Sequence, residues 1–138
     1  LQTPLHQPDP VLLGLMEEQV EAALAHLPDR GDLVDLTRRV VQQLARHGVP
    51  ELEQVAAELQ LSPRMFYRQL AERGHGFRQL RDDALRELAE RHLADDRLTL
   101  ADVSERLGYT EQSAFSRAFK RWSGTSPLAW RQARHQAR

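Results

Sequence analysis

Gln112, Ser113, Ser116, Arg117 and Lys120 share the helix face opposite Phe115, Phe119 and Trp122. Aromatics spaced four and three apart anchor one side of a helix in a core, so the polar set turns together toward solvent or toward a ligand. Glutamine carries a paired donor and acceptor, serine a hydroxyl, and arginine a planar fork of donors. The ligand class that fits this collection is nucleic acid, and bare solvent is the other reading. Catalytic chemistry finds no comparable support. No serine, histidine and acid set is recognisable as a triad, no glycine-rich phosphate loop is present, and none of the six histidines forms an HExxH-like pair. The acids Asp82, Asp83, Glu87, Glu90, Asp95 and Asp96 alternate with Arg81, Arg86, Arg91 and Arg97. That is the pattern of a solvated helix with i, i+4 pairs rather than of a metal site, so no metal or other cofactor is expected.

A chain of 138 residues with 41% apolar content can bury one good core or two small ones. It has no cysteine, which removes disulfides and thiolate sites and suits a reducing cytoplasm. No apolar run approaches ~18 residues and no basic segment leads into a short apolar one, so neither a membrane span nor a secretion signal is expected. The first residue is Leu rather than Met, and the chain is expected to be part of a longer one. The formal net charge of -1 runs against phosphate binding, yet the charge is unevenly placed. Residues 1 to 48 hold seven acids and four bases, a balance of -3, whereas 49 to 138 hold thirteen acids and fifteen bases, a balance of +2. Every basic residue except Lys120 is arginine.

The elements that must position these side chains are helical. There is no isoleucine and no useful run of period two, whereas apolar residues recur at helical spacing throughout. Asp9-Pro10 offers an N-cap and first-turn proline for a helix ending near Leu27, with the stripe Leu12, Leu15, Met16, Val20, Ala23, Leu24 and Leu27. A second helix is expected from Asp32, with an apolar face of Leu33, Leu36, Val40, Val41 and Leu44 and with Gly48 as its left-handed terminator. Farther on, Phe77, Leu80, Ala84, Leu88 and Leu93 predict a helix from about Gly76 to Ala94, roughly 25 to 30 Å long.

An internal repeat flanks that long helix. Leu52, Val55, Ala56 and Leu59 recur forty-eight residues later as Leu100, Val103, Ser104 and Leu107; past the turn, Phe66, Arg68 and Leu70 match Phe115, Arg117 and Phe119 at forty-nine. Each copy reads as helix, turn, helix. Ala56 and Ser104 are small where two steeply crossed helices must approach. Gly108 supplies positive φ in the second turn, where the first copy has Gln60, so that first turn is expected to be strained or of another type. Ser62 before Pro63, and Thr110, are expected to cap the second helices, and Thr99 with Asp102 to form a capping box. With Phe66 and Leu70 inward, Arg64, Tyr67 and Arg68 turn outward.

These residues closely resemble the C-terminal DNA-binding domain of AraC/XylS-type bacterial transcription regulators. The likeness is carried by Asp102-Val-Ser-Glu-Arg-Leu-Gly-Tyr, by Gln112 to Trp122, and by Gly124-Thr-Ser-Pro127-Leu-Ala-Trp130-Arg131, and it covers residues 49 to about 134. The resemblance implies an all-α fold of two helix-turn-helix subdomains, 31–75 and 96–138, joined by a connecting helix over 76–95. An extra N-terminal helix in 1–30 would belong to the flank of an absent effector-binding or dimerising domain. It also implies that the second helix of each unit enters a major groove, in two successive grooves about 34 Å apart. The base-reading positions then fall on Arg64, Tyr67, Arg68, Gln112, Ser113, Ser116 and Arg117. Arginine can fork onto guanine O6 and N7, Gln112 suits adenine, and Tyr67 suits a thymine methyl or a phosphate. Ser62, Arg86, Thr110 and Lys120 are assigned to phosphates.

The expected partner is therefore double-stranded promoter or operator DNA, in the cytoplasm at the nucleoid, with RNA polymerase as a further partner. Homodimerisation would run through the upstream domain or residues 9–27. A helical protein-interaction module with a degenerate helix-turn-helix is the rival reading, and the near-neutral charge is its support. The salt dependence of binding separates the two.

Overall fold

A computed structural model describes residues 31–137, so the helix expected over 9–27 lies outside the described residues. The described residues are all-helical: α1 (Gly31–Leu44), a 3-10 turn (Ala45–His47), α2 (Leu52–Glu58), α3 (Pro63–Glu72), α4 (Phe77–Leu93), α5 (Leu100–Arg106), α6 (Gln112–Ser123) and α7 (Pro127–Gln136). The pairs α2/α3 and α5/α6 are the two helix-turn-helix units, and α4, about 25 Å long at 1.5 Å per residue, joins them.

The buried side chains form one continuous cluster running from Leu33 and Val41 on α1 to Phe115 and Phe119 on α6. Phe66, Phe115 and Phe119 are its largest fully buried members. Phe66 meets Phe77 edge-on at 5.8 Å between centroids, which fixes α3 against the start of α4. Phe119 meets Trp130 edge-on at 6.5 Å and so carries α7 on the back of α6. Arg131 on α7 donates to the carbonyls of Leu93 (2.9 Å) and Asp95 (3.4 Å), satisfying the frayed end of α4. Polar contacts fasten α1 to α4: Gln42 donates to the Ala84 carbonyl (3.0 Å), Arg91 to Gln42 (2.9 Å), and Arg38 to Glu87 (3.2 Å).

Two apolar faces differ from the stripes expected for them. On α1, Leu36 is 37% exposed, and Val34 and Thr37 are buried instead. Thr37 can enter the core because its hydroxyl donates to the Leu33 carbonyl at 2.8 Å, which leaves no unsatisfied polar atom. On α4, Leu85 and Ala89 join Phe77, Leu80, Ala84 and Leu93 as buried residues, whereas Leu88 is half-buried. A helix wedged between two subdomains buries more than one stripe, so a single-face reading undercounts it.

The turns also refine the expectations. Gln60 has φ +60, and its amide bonds to the Ala57 carbonyl while that of Leu61 bonds to Ala56. Gly108, at φ +81, does the same with Glu105, as Tyr109 does with Ser104. Both units therefore end their first helix in a Schellman motif; the first turn is strained, as expected, but it is of the same type. Gly48 is not a left-handed terminator: at φ +119 and ψ -179 it lies in the extended, positive-φ region open to glycine, after a 3-10 turn that tightens the end of α1.

Candidate nucleic-acid interface

Ser62 starts α3 as expected. Its hydroxyl accepts from the Met65 amide at 3.1 Å, and Pro63 takes the first helical position where no amide is needed. The helix then buries Met65, Phe66, Gln69 and Leu70, which turns Arg64, Tyr67 and Arg68 to the exterior. Tyr67 is 63% exposed, far more than an aromatic in a finished core. Arg68 is partly engaged on its own helix: its guanidinium donates to the Met65 sulfur at 3.3 Å and lies 4.0 Å from the Glu72 carboxylate. The Arg64 side chain makes no hydrogen bond or ion pair with a described residue.

The second unit presents the corresponding face. Gln112, Ser113, Arg117 and Lys120 are exposed and Ser116 is half-buried, opposite buried Phe115, Ala118 and Phe119. Trp122 is half-buried at the margin of the core. Tyr109 packs 5.8 Å from Phe115, and burial raises its phenol pKa above the usual value. Neither the Arg117 nor the Lys120 side chain bonds to a described residue. Thr110, expected to cap this helix, does not: the N-cap is Glu111 and no side chain bonds the first-turn amides. The turn consumes one residue more before the helix begins, leaving Thr110 exposed outside it. Ser104 donates to the Glu111 carbonyl at 3.5 Å, tying the start of α6 to the middle of α5.

The Thr99–Asp102 capping box is present, each side chain bonding the other's amide at 3.0 Å. Hydrogen bonding from the Thr99 backbone first, and from the Thr99 side chain second, holds the Asp102 carboxyl below its usual pKa. Arg86, expected on a phosphate, sits half-buried on α4 with its guanidinium 3.4 Å from Glu90. The spacing argument passed over buried Gln69, whose side-chain oxygen accepts from Arg73 at 2.7 Å and whose amide nitrogen lies 3.7 Å from the Met65 sulfur. A lone glutamine within an apolar stripe was the only signal of it. Among the described residues no group of three or more His, Cys, Asp or Glu could hold a metal ion, and no helix is long and apolar enough to cross a membrane.

Two structurally equivalent helix-turn-helix units, each presenting an outward polar and basic face on its second helix, define a DNA-binding domain of the two-unit class. The family described as a helix-turn-helix domain matches residues 55–133, and the chain belongs to this family in its AraC-type form. Its relatives are DNA-binding transcription regulators. The chain is 37% identical over 134 residues to the ornithine utilization regulator of Pseudomonas aeruginosa, covering 96% of this chain and 39% of that protein. It is 30% identical over 128 residues to the HTH-type transcriptional regulator VirS of Mycobacterium tuberculosis, covering 93% and 37% respectively. It thus spans about two-fifths of the relatives it matches. Among solved structures, the C-terminal domain of AraT, a response regulator from Geobacillus stearothermophilus, superposes with a TM-score of 0.61 at 32% identity, covering 74% of this chain and 85% of that one. The DNA-binding domain of AdpA, a global transcriptional factor solved in complex with a target DNA, gives 0.60 at 26% identity, covering 77% and 95%.

Proposed function

We propose that this chain reads an asymmetric DNA site of two unlike boxes, α3 entering one major groove and α6 the next on the same face of the duplex. The observation that carries this reading is the pair of outward faces on equivalent helices, built over a single core. Arg64, Tyr67 and Arg68 read the first box; Gln112, Ser113, Ser116 and Arg117 read the second. Ser62, Arg86, Thr110 and Lys120 hold phosphates and set the register. The uncapped first turn of α6 adds amide donors beside Gln112. Arg86 takes part by exchanging Glu90 for a phosphate. Because the two faces differ, a palindromic operator reflects dimerisation through an upstream domain or residues 9–27. The chain acts as a non-enzymatic regulator in the cytoplasm, with RNA polymerase as its second partner.

Selection of bound duplexes from a random library identifies the preferred site. Arg68→Ala and Arg117→Ala are each expected to weaken binding to it by ~1 to 3 kcal/mol and to relax preference at one base pair. Unchanged binding by the double variant would overturn the assigned faces. For the wild-type chain, log affinity should fall with log salt at a slope of about -0.9 per phosphate contact. Salt-insensitive binding, alike for every sequence, would favour a protein-interaction module.

A further inference from the structure

Two clefts meet at Arg46, in the 3-10 turn after α1. One, of about 530 Å³, is bounded by Arg46, by the flank of α5 and by Gly108, Thr110 and Gln112 at the start of α6. The other, of about 310 Å³, is lined by Gln42, Arg46, Leu88, His92 and Arg106 and has no carboxylate in its wall. Arg46 and Arg106 are both exposed, and neither guanidinium makes a hydrogen bond or ion pair with a described residue. They are two exposed cations lining one cleft, with Asp95 and Asp102 acting on Arg106 through space but not bonded to it.

The rim is rigidly placed relative to the second reading face. A Cβ on Gly108 would lie 2.5 Å from the Ala45 carbonyl oxygen and 2.5 Å from the Gly48 amide nitrogen, so the turn into α6 is seated directly against the backbone that carries Arg46. The acids on this rim are Asp102 and Glu105. Asp102 is held in the capping box with Thr99, which leaves Glu105 as the one carboxylate there without a bond to a described residue. His92, in the second cleft, is held below its usual pKa by burial first and by Arg106 and Arg91 next, with Asp95 acting the other way.

We propose that Arg46 and Arg106 form a clamp for the DNA phosphate backbone beside the N-terminus of α6. The inference rests on the reading that α6 enters a major groove. One arginine comes from the first subdomain and the other from the second, so the clamp also reports that the two are docked. Its role is positional: it adds electrostatic affinity and register without choosing a base.

The test uses the 138-residue chain and the duplex selected from a random library. Arg46→Ala/Arg106→Ala should weaken binding to every duplex by a similar factor and make the salt slope shallower by about 0.9 for each lost contact, with base preference in both boxes retained. Arg46→Lys/Arg106→Lys should keep the wild-type slope, since lysine preserves the charge. Phosphates whose ethylation blocks the wild-type chain beside the second box should cease to matter for the alanine pair. An unchanged slope and an unchanged ethylation pattern would overturn the clamp while leaving the reading faces standing. Lost base preference in the alanine pair would make these reading residues and overturn their positional role. A wild-type chain that binds no duplex would overturn both inferences.

Discussion

Gln60 holds φ +60 at the position where the second unit has glycine, a conformation that crowds the Cβ of an L residue. The surrounding Schellman bonds keep it there, so the first turn stores strain that the second does not. Gln60→Gly is expected to raise stability by about 0.5 to 1 kcal/mol, the relief of strain exceeding the entropy glycine adds to the unfolded chain, and thermal denaturation reads the gain. Gly108 is doubly constrained, by φ +81 and by the backbone of Ala45 and Gly48 against it. Gly108→Ala should therefore destabilise by about 2 to 4 kcal/mol. Gly124 makes the comparison clean, because it has a similar φ of +84 with open space where a Cβ would go. Gly124→Ala should lose only about 1 kcal/mol; equal losses at both positions would show that the close approach of Gly108 contributes nothing.

Among the elements, the short helices depend on their ends. α5 has only seven residues, too few to persist without caps, and its N-terminus is closed by the Thr99–Asp102 box. Thr99→Ala should remove about 1 kcal/mol, seen as a lower urea midpoint at neutral pH. Asp102 also gives the box an acid sensitivity. Its folded pKa lies below the unfolded value of about 3.8, so its contribution is complete above that value and is lost as pH falls through the folded pKa. Asp95, drawn down to about 2 by the side chain and then the backbone of Arg97, behaves likewise. Asp102→Ala should flatten the acid limb in urea titrations below about pH 4. At the C-terminal end of the connecting helix, Arg131→Ala removes a charged donor from the Leu93 carbonyl and should destabilise by about 1.5 to 3 kcal/mol.

For the whole molecule, the single core is the decisive feature. A cluster continuous from α1 through α4 to α6 allows the two units little freedom to adjust their separation. Inserting roughly 5 base pairs between the two boxes, half a helical turn, should carry one box to the opposite side of the duplex and reduce affinity to that of a single box. Inserting roughly 10 restores the side but not the distance, and should be tolerated poorly for the same reason. A gel shift over the insertion series measures this, and full affinity at every spacing would mean that the units move independently.

The helices from α1 to α6, the repeat, the Ser62 cap, the Thr99–Asp102 box and the inward set of Phe66, Leu70, Phe115 and Phe119 were legible in the sequence, whereas α7 was not. Apart from the repeat, each depends on residues three or four apart, where helical geometry alone fixes who faces whom. The outward sets Arg64, Tyr67 and Arg68, and Gln112, Ser113, Ser116 and Arg117, followed as their complement. Thr110 was misplaced because one extra turn residue shifts the start of a helix without altering its apolar spacing. What only the tertiary structure decided involves partners distant along the chain: that Thr37 rather than Leu36 is buried, that Leu85 and Ala89 make α4 a two-sided wedge, and that Gly108 presses on Ala45 and Gly48. Periodicity says which residues share a face. It does not say how many neighbours that face will meet, because this is settled only when separately formed helices compete for the same buried volume.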